Sequence, residues 1–390
     1  MKEEELIECS LHRLLGFVEK ERFMGYDPYD GLTSPLFRLP VLKNNHQLRF
    51  LAQQFIKRSP INLRPLLGIK RRLNPVSLGL GIQAYSCLYQ KNKNSDYRKK
   101  VEEMIDQLVK LIPTNYTGAC WGYDFPWEAR YASIPAYQPT VVATGIITNS
   151  LYIAHATFNN TLARELVIKG CEFVTTHLNR TVEEDGSFCF SYSPFDREKV
   201  FNASMKGSRL LAQGYQLTKN PEWKNLAAQS IAWVMKHQSK EGAWIYSQRN
   251  AGQRIDNYHT AYVLDCLDEY IKCTGDLRFT EALKKGVQFY VSHFITKEGQ
   301  PKFYNNEPWP VDCTAAGQTL LSLVRFGHID TAKKCALWMI HHMQSPAGNF
   351  YFRKFKSHTE KTAFMRWSDS WMLAGLSSLS EHLTSGEQTL

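Results

Sequence analysis

The chain has 390 residues, 43% of them hydrophobic and 13% aromatic, with a formal net charge of +10. That composition is enough for a large core and excludes a disordered or fibrous chain. The charge is spread along the sequence without a nucleic-acid module, so no nucleic-acid partner is expected; it suits either solubility or attraction of an anionic substrate.

The N-terminus, MKEEELIECSLHRLL, has no basic region followed by an apolar one, so no secretory signal is read. No apolar run approaches the ~20 residues of a transmembrane segment. The nine cysteines (9, 87, 120, 171, 189, 266, 273, 313 and 335) contain no C-x-x-C pair. Such usage fits a reducing compartment and predicts a cytoplasmic protein. Neither a metal-ligand set nor a cofactor motif is present, so none is expected.

Residues 4–20 have near-helical apolar spacing at Leu6, Ile7, Leu11, Leu14, Leu15 and Val18. The loop Gly25-Tyr26-Asp27-Pro28-Tyr29-Asp30-Gly31 places two carboxylates and two phenols around turn-forming pairs, suited to lining a sugar site or to bonding their own backbone. A helix over 46–58 precedes a Pro- and Arg-rich connection, 59–75. Asn74-Pro75 then opens a small-residue helix to about residue 89, and a charged outer helix covers 96–112. The stretch 120–131 is the densest aromatic and charged patch, without the period of a core helix. Its Trp121, Tyr123 and Trp127 offer stacking faces, and Asp124, Glu128 and Arg130 could orient polar atoms. Pro139-Thr140 starts a helix over 141–157, followed by an outer helix over 161–178.

From there a regular alternation sets in. Outer helices end before turns containing Gly186, Gly242, Gly299 and Gly348, each followed by an aromatic residue and then by an apolar inner helix. Short aromatic stretches at 190–193, 245–246, 304 and 351–352 suggest small strands. Asn202, Asn257, Asp312 and Trp367 follow one another every 55 residues, each at the start of a small-residue apolar helix. Such a period signals repeated supersecondary units that bury one another's faces. The expected fold is all-α: a single (α/α)6 toroid of helical hairpins over 1–383, irregular before residue 76, with short β-ribbons at the mouth and a flexible tail from 384.

On that fold the recurrent positions gather at one mouth. Catalytic candidates are Asp312, His259, Tyr258 and Asp124; binding candidates are Tyr26, Asp27, Asp30, Trp121, Tyr123, Trp127, Arg130, Asn202, Lys206, Asp256, Asn257, Arg366 and Asp369. Asp312 also reads as a helix N-cap, and His259 as a bonded core histidine. A glycosidase would use two carboxylates, for instance Asp312 with Asp124 or Asp27. A uronate lyase or epimerase would use Tyr258 or His259 as base, with Arg130, Lys206 or Arg366 on the carboxylate.

The turn Gln238-Ser-Lys-Glu-Gly242-Ala-Trp244 resembles the Q-x-x-x-G-x-W turn of triterpene cyclases, and Gln344-Ser-Pro-Ala-Gly348-Asn-Phe350 is a variant of it. Val311-Asp312-Cys313-Thr314-Ala315 is similar to the segment carrying the initiating acid of oxidosqualene cyclases. The run 370–378 looks like the last inner helix of protein prenyltransferase β-subunits. These resemblances imply the α/α-toroid superfamily and, by analogy, a terpenoid cyclase with Asp312 as proton donor. The prenyltransferase zinc set is incomplete, because Ser368 or Asp369 stands where its histidine would be. Phe190-Ser-Tyr-Ser-Pro194, Asn202-Ala-Ser-Met-Lys-Gly207 and the helix from Asp256 are similar to the C-terminal barrel of glucuronyl C5-epimerases. Polar groups beside aromatic faces suit carbohydrate better than hydrocarbon. The leading expectation is therefore an enzyme acting on an acidic sugar or polysaccharide, with an anionic small-molecule or oligosaccharide substrate. A terpenoid-cyclase-like enzyme and a non-catalytic glycan- or protein-binding toroid are the alternatives.

Overall fold

A computed structural model describes residues 2–129, 133–249 and 252–383. In chain order the helices are α1 (Glu3–Lys20), α2 (Pro40–Lys43), α3 (His46–Arg58), α4 (Pro75–Asn92), α5 (Ser95–Lys110), α6 (Val141–Phe158) and α7 (Thr161–His177). They continue with α8 (Phe201–Thr218), α9 (Pro221–Met235), α10 (Asn257–Thr274), α11 (Thr280–Phe294), α12 (Cys313–Arg325), α13 (Ile329–Met343) and α14 (Ser370–Glu381).

The even-numbered helices from α4 onward form an inner ring. Each packs on the next, and α14 returns onto α4. The odd-numbered helices from α5 onward form the outer layer. The ring closes through the N-terminus: α1 packs against α13 and α14, and so serves as outer partner to the last inner helix. This is an (α/α)6 toroid whose sixth hairpin is assembled from the two ends of the chain.

Inner helices are apolar nearly all round because both sides are covered. In α8 residues 201–214 are all buried. By length and mean hydropathy α6 would suit a membrane, but it is largely buried among α4, α7 and α8. All nine cysteines are free thiols.

The glycine turns lock neighbouring hairpins together. Gln238 donates from Nε2 to the carbonyls of Gly242 (3.1 Å) and Ala282 on α11 (2.9 Å). Gln344 repeats this, donating to Gly348 O (3.0 Å) and to Ser10 O on α1 (3.0 Å). Gly242 and Gly348 have φ of +103° and +101°, and a Cβ at either would run into the backbone carbonyl of Lys285 or Arg13. Only glycine meets both demands. The repeat of one lock on α11 and on α1 shows that α1 occupies the next outer position around the ring.

The ribbons are short. β1 (Met24–Gly25) pairs with β2 (Arg72–Leu73), β3 (Trp127–Glu128) with β4 (Ser133–Ile134), and β5 (Arg180–Val182) with β6 (Phe188–Phe190). β7 (Val311–Asp312), β8 (Arg353–Lys354) and β9 (Thr359–Glu360) form a three-stranded antiparallel sheet. Of the expected aromatic strands, Phe190 ends β6 and Tyr304 makes an isolated bridge to Asp256. Residues 245–246 and 351–352 form no strand; Tyr246 N and Phe352 N each donate one bond, to Arg254 O and Glu360 O.

Candidate active site

The N-terminal ends of the inner helices open together on one side of the ring, and a cavity of about 400 Å3 lies there. Six tyrosines (29, 123, 192, 246, 258 and 262) and three tryptophans (127, 367 and 371) stand in its wall. Polar groups are placed among them, including His259, Glu198, Asn202, Arg249, Arg254 and Arg366. The volume suits a small-molecule site.

His259 is fixed by the start of α10. Asp256 is the N-cap and accepts from the backbone N of His259 (3.2 Å), while both of its carboxylate oxygens also meet His259 Nδ1, at 2.7 and 2.8 Å. The ring lies between Tyr246 and Tyr258, at centroid distances of 4.4 and 4.2 Å. With Nδ1–H donated to Asp256, Nε2 is the basic nitrogen, and no described residue hydrogen-bonds to it. Burial pushes the imidazole below its ordinary pKa even against the pull of Asp256, so it is neutral near pH 7. For Asp256 itself, burial works to raise the carboxyl. The nearby His259 and Arg254 outweigh that and hold it below the usual range. Arg254 Nε reaches Asp256 at 3.0 Å.

Tyr29 forms the opposite kind of group, a phenol made more acidic. Its burial acts to raise the pKa, but Lys57, 2.5 Å from Oη and 3.9 Å above the ring, overrides it, and Tyr29 is lowered. Its ring stands 5.6 Å from that of Trp367.

The cations of the wall are engaged. Arg366 makes a bidentate pair with Asp27 (2.6 and 2.9 Å) and covers the rings of Tyr123 and Trp367 at 4.6 and 4.9 Å. Arg254 holds Asp256, and Arg249 pairs with Glu198. Burial raises Glu198 above the ordinary carboxylate range despite Arg249.

The sequence candidates divide between this cavity and its surroundings. Tyr123, Trp127, Asn202, Tyr258, His259 and Arg366 line it. Asn202 Oδ1 accepts no hydrogen bond from any described residue. Asp256 stands directly behind His259, and Asp27 behind Arg366. Asp30 binds Arg64 (2.7 Å); burial pushes it up to about 7 in spite of that pair. Asp124 accepts from Asn74 (2.5 Å), and burial followed by the charge of Asp27 raises it to about 6. Tyr26, Asp27, Asp30 and Asp124 border a small separate pocket.

Others are built into the walls. Trp121 is fully buried and donates from Nε1 to Leu108 O (2.9 Å). Asn257 is buried among Lys302 O, Tyr290 and Thr319. Asp312 is the buried N-cap of α12, held by Arg353 Nε at 2.6 Å and by Trp367 Nε1 at 3.4 Å. Asp369 is buried and accepts from Phe350 N (2.8 Å). Lys206 lies beyond the floor made by Ile146, Tyr262 and Trp371. It borders a second cavity of about 380 Å3 toward the other end of the ring, with Nζ 3.7 Å from the Tyr262 centroid. Arg130 lies outside the described residues.

Several wall residues were not among the candidates: Tyr192, Glu198, Tyr246, Arg249 and Arg254; Tyr29 and Trp367 were marked only through the 25–31 loop and the 55-residue recurrence. Arg254 and Tyr246 sit in the connection before α10 and carried no periodic signal. Tyr29 shared the loop with Tyr26, but only the fold turns it toward Lys57. Among the described residues no group of three or more His, Cys, Asp or Glu could hold a metal ion.

No family model and no curated protein matches the chain. Solved structures do. The cellobiose 2-epimerase of Bacillus thermoamylovorans B4167 superposes with a TM-score of 0.60 at 12% identity, over 80% of this chain and 88% of that one. The GH76 α-mannanase BT2949 of Bacteroides thetaiotaomicron gives 0.59 at 12%, over 81% and 88%. An unsaturated glucuronyl hydrolase specific for heparin gives 0.57 at 14%, over 80% and 88%. At these identities the likeness establishes the toroid fold, and the chemistry has to come from the site.

Proposed function

We propose that the protein is a carbohydrate-active enzyme of the isomerase or epimerase type, acting on a neutral reducing sugar, with His259 as the base and Asp256 as its positioning partner. The observation that carries this reading is the buried Asp256–His259 pair on the wall of an aromatic cavity. It supplies a neutral imidazole whose Nε2 bonds to no described residue, suited to taking a proton from a carbon next to a carbonyl.

In the open-chain aldose, Nε2 removes the C2 proton and negative charge develops on the C1 oxygen. A phenol O–H in the wall, Tyr29 or Tyr258, donates to that oxygen. Return of the proton from imidazolium to C1, with the O2 hydroxyl proton passing to the C1 oxygen as the C2 carbonyl forms, gives the ketose. Return to the other face of C2 gives the epimer. His259 is the one histidine in the described wall, and a single base on a single face favours the 1,2-shift, hence isomerisation.

The pairing of the described cations favours a neutral substrate. A uronate carboxylate would need a spare guanidinium or ammonium, whereas among the described residues of the wall Arg254, Arg366 and Arg249 already hold Asp256, Asp27 and Glu198. Glycoside hydrolysis needs two carboxylates across the bond to be cut, and Glu198 is the one carboxylate in the described wall. The terpenoid-cyclase reading has less support, because Asp312 is committed to Arg353 and to capping α12. That the cellobiose 2-epimerase shares the fold supports the proposal without deciding it.

The test is proton NMR in D2O with reducing mono- and disaccharides. Solvent deuterium entering at C2 or C1, lost in His259→Gln, supports the proposal. Absence of exchange with every neutral aldose, together with cleavage of an unsaturated uronyl oligosaccharide, overturns it.

A further inference from the structure

The region 35–72 is out of keeping with the rest of the surface. Eight of the fourteen exposed large apolar side chains among the described residues fall inside it. Val41 is 75% exposed, Leu51 62%, Phe55 68% and Leu66 83%. On α3, Leu48, Leu51 and Phe55 are spaced three and four apart, so they form one outward stripe. The opposite face of α3 is anchored: Gln53 exchanges hydrogen bonds with the Glu128 backbone (3.2 and 2.9 Å), and Arg49 pairs with Glu128 (2.5 Å). The stripe is therefore held outward by built contacts.

The same region has no acidic residue; after Asp30 the next carboxylate in the sequence is Asp96. Arg38, Lys43, Arg58 and Lys70 are exposed, and no described residue forms an ion pair with any of them. Apolar side chains interspersed along the sequence with unpaired cations match an anionic lipid surface. The rings and aliphatic chains enter the acyl boundary while Lys and Arg meet the headgroups. A second copy of the chain fits poorly, because a two-fold contact would set these unpaired cations against themselves.

We propose that residues 35–72 dock the protein on anionic membranes, with α3 lying in the interface plane. Lys57, on the face of α3 turned away from the stripe, holds Tyr29 in the cavity wall, so the docking helix also borders the cavity. The inference stands apart from the sugar chemistry proposed above.

The experiment is co-sedimentation of the full chain with phosphatidylcholine vesicles and with vesicles containing 30% phosphatidylglycerol, at low and high salt. Binding is expected on the anionic vesicles alone and weakens at least tenfold in high salt. Leu51→Glu with Phe55→Glu abolishes it, leaving melting temperature and sugar turnover unchanged. Phe195→Glu, exposed elsewhere, retains it. Failure to bind anionic vesicles overturns the proposal, as does binding that survives the double substitution. So does a double variant whose only effect is to convert a dimer into a monomer in light scattering, which would make the patch a protein interface.

Discussion

Asp256 engages His259 twice, once through the backbone N of the helix start and once through Nδ1 of the ring. One carboxylate thus caps α10 and fixes the direction in which the imidazole faces the cavity. Removing the base should lower kcat of the proposed sugar reaction by about 10²–10⁴-fold in His259→Gln. Asp256→Asn preserves the cap and should lower kcat with little change in melting temperature. Steady-state kinetics beside thermal unfolding separates the two effects.

The pH dependence follows from the same pair. The base works when unprotonated, and His259 is lowered chiefly by burial. Activity should therefore rise with pH along a limb below the ordinary histidine value of about 6.5. Asp256 opposes the lowering, so Asp256→Asn should move that limb to still lower pH. A limb above the ordinary value would contradict the assignment.

Lys57 and Tyr29 make a prediction readable without substrate. Burial raises Tyr29, and Lys57 is the largest of the cations that overcome it, ahead of Arg353 and Arg366. In Lys57→Met, burial acts without that opposition, and the tyrosinate absorbance assigned by comparison with Tyr29→Phe should move to higher pH. An unchanged titration would show that the ammonium has no hold on the phenol.

The glycine turns carry stability. At Gly242 and Gly348 an alanine meets both a positive φ and the backbone of the next outer helix. Each substitution should lower unfolding free energy by about 1–3 kcal/mol or more. The two should be similar in size, because the locks on α11 and on α1 are equivalent. Denaturant unfolding checks this, and a harmless Gly348→Ala would mean that α1 does not close the ring.

Asp369 gives a stability test with a definite sign. It is fully buried, and burial raises its carboxyl far above the ordinary value, opposed only in part by the Phe350 amide. A carboxyl raised in the folded state contributes its stability below the unfolded pKa of about 3.9 and loses it as pH rises toward the folded value. The wild type should therefore weaken between pH 5 and pH 8 relative to Asp369→Asn. Parallel denaturation midpoints for the two proteins across that range would contradict it.

The toroid was legible because its signals are local. The 3.6-residue period, the proline and asparagine starts, and the glycine–aromatic turns each act within a few neighbouring residues. The 55-residue interval marks equivalent helix starts, and the structure brings those starts to one end of the ring. Which of them face the cavity was not legible. A polar residue that caps a helix and one that lines a pocket have the same sequence signature, and side-chain direction is set by partners far away. Arg353 holds Asp312 in the wall, Tyr290 and Thr319 enclose Asn257, and only Asn202 and Trp367 reach the open space.

Chain order alone thus determined that apolar helices would alternate with charged ones and turn at glycines, since those choices depend on backbone preference and on burial by adjacent segments. Tertiary structure decided that α1 would complete the last hairpin, that Arg366 would meet Asp27 across 339 residues, and that Tyr29 would come under Lys57. Those contacts exist because the ring closes, and closure joins segments whose separation in sequence leaves no local trace.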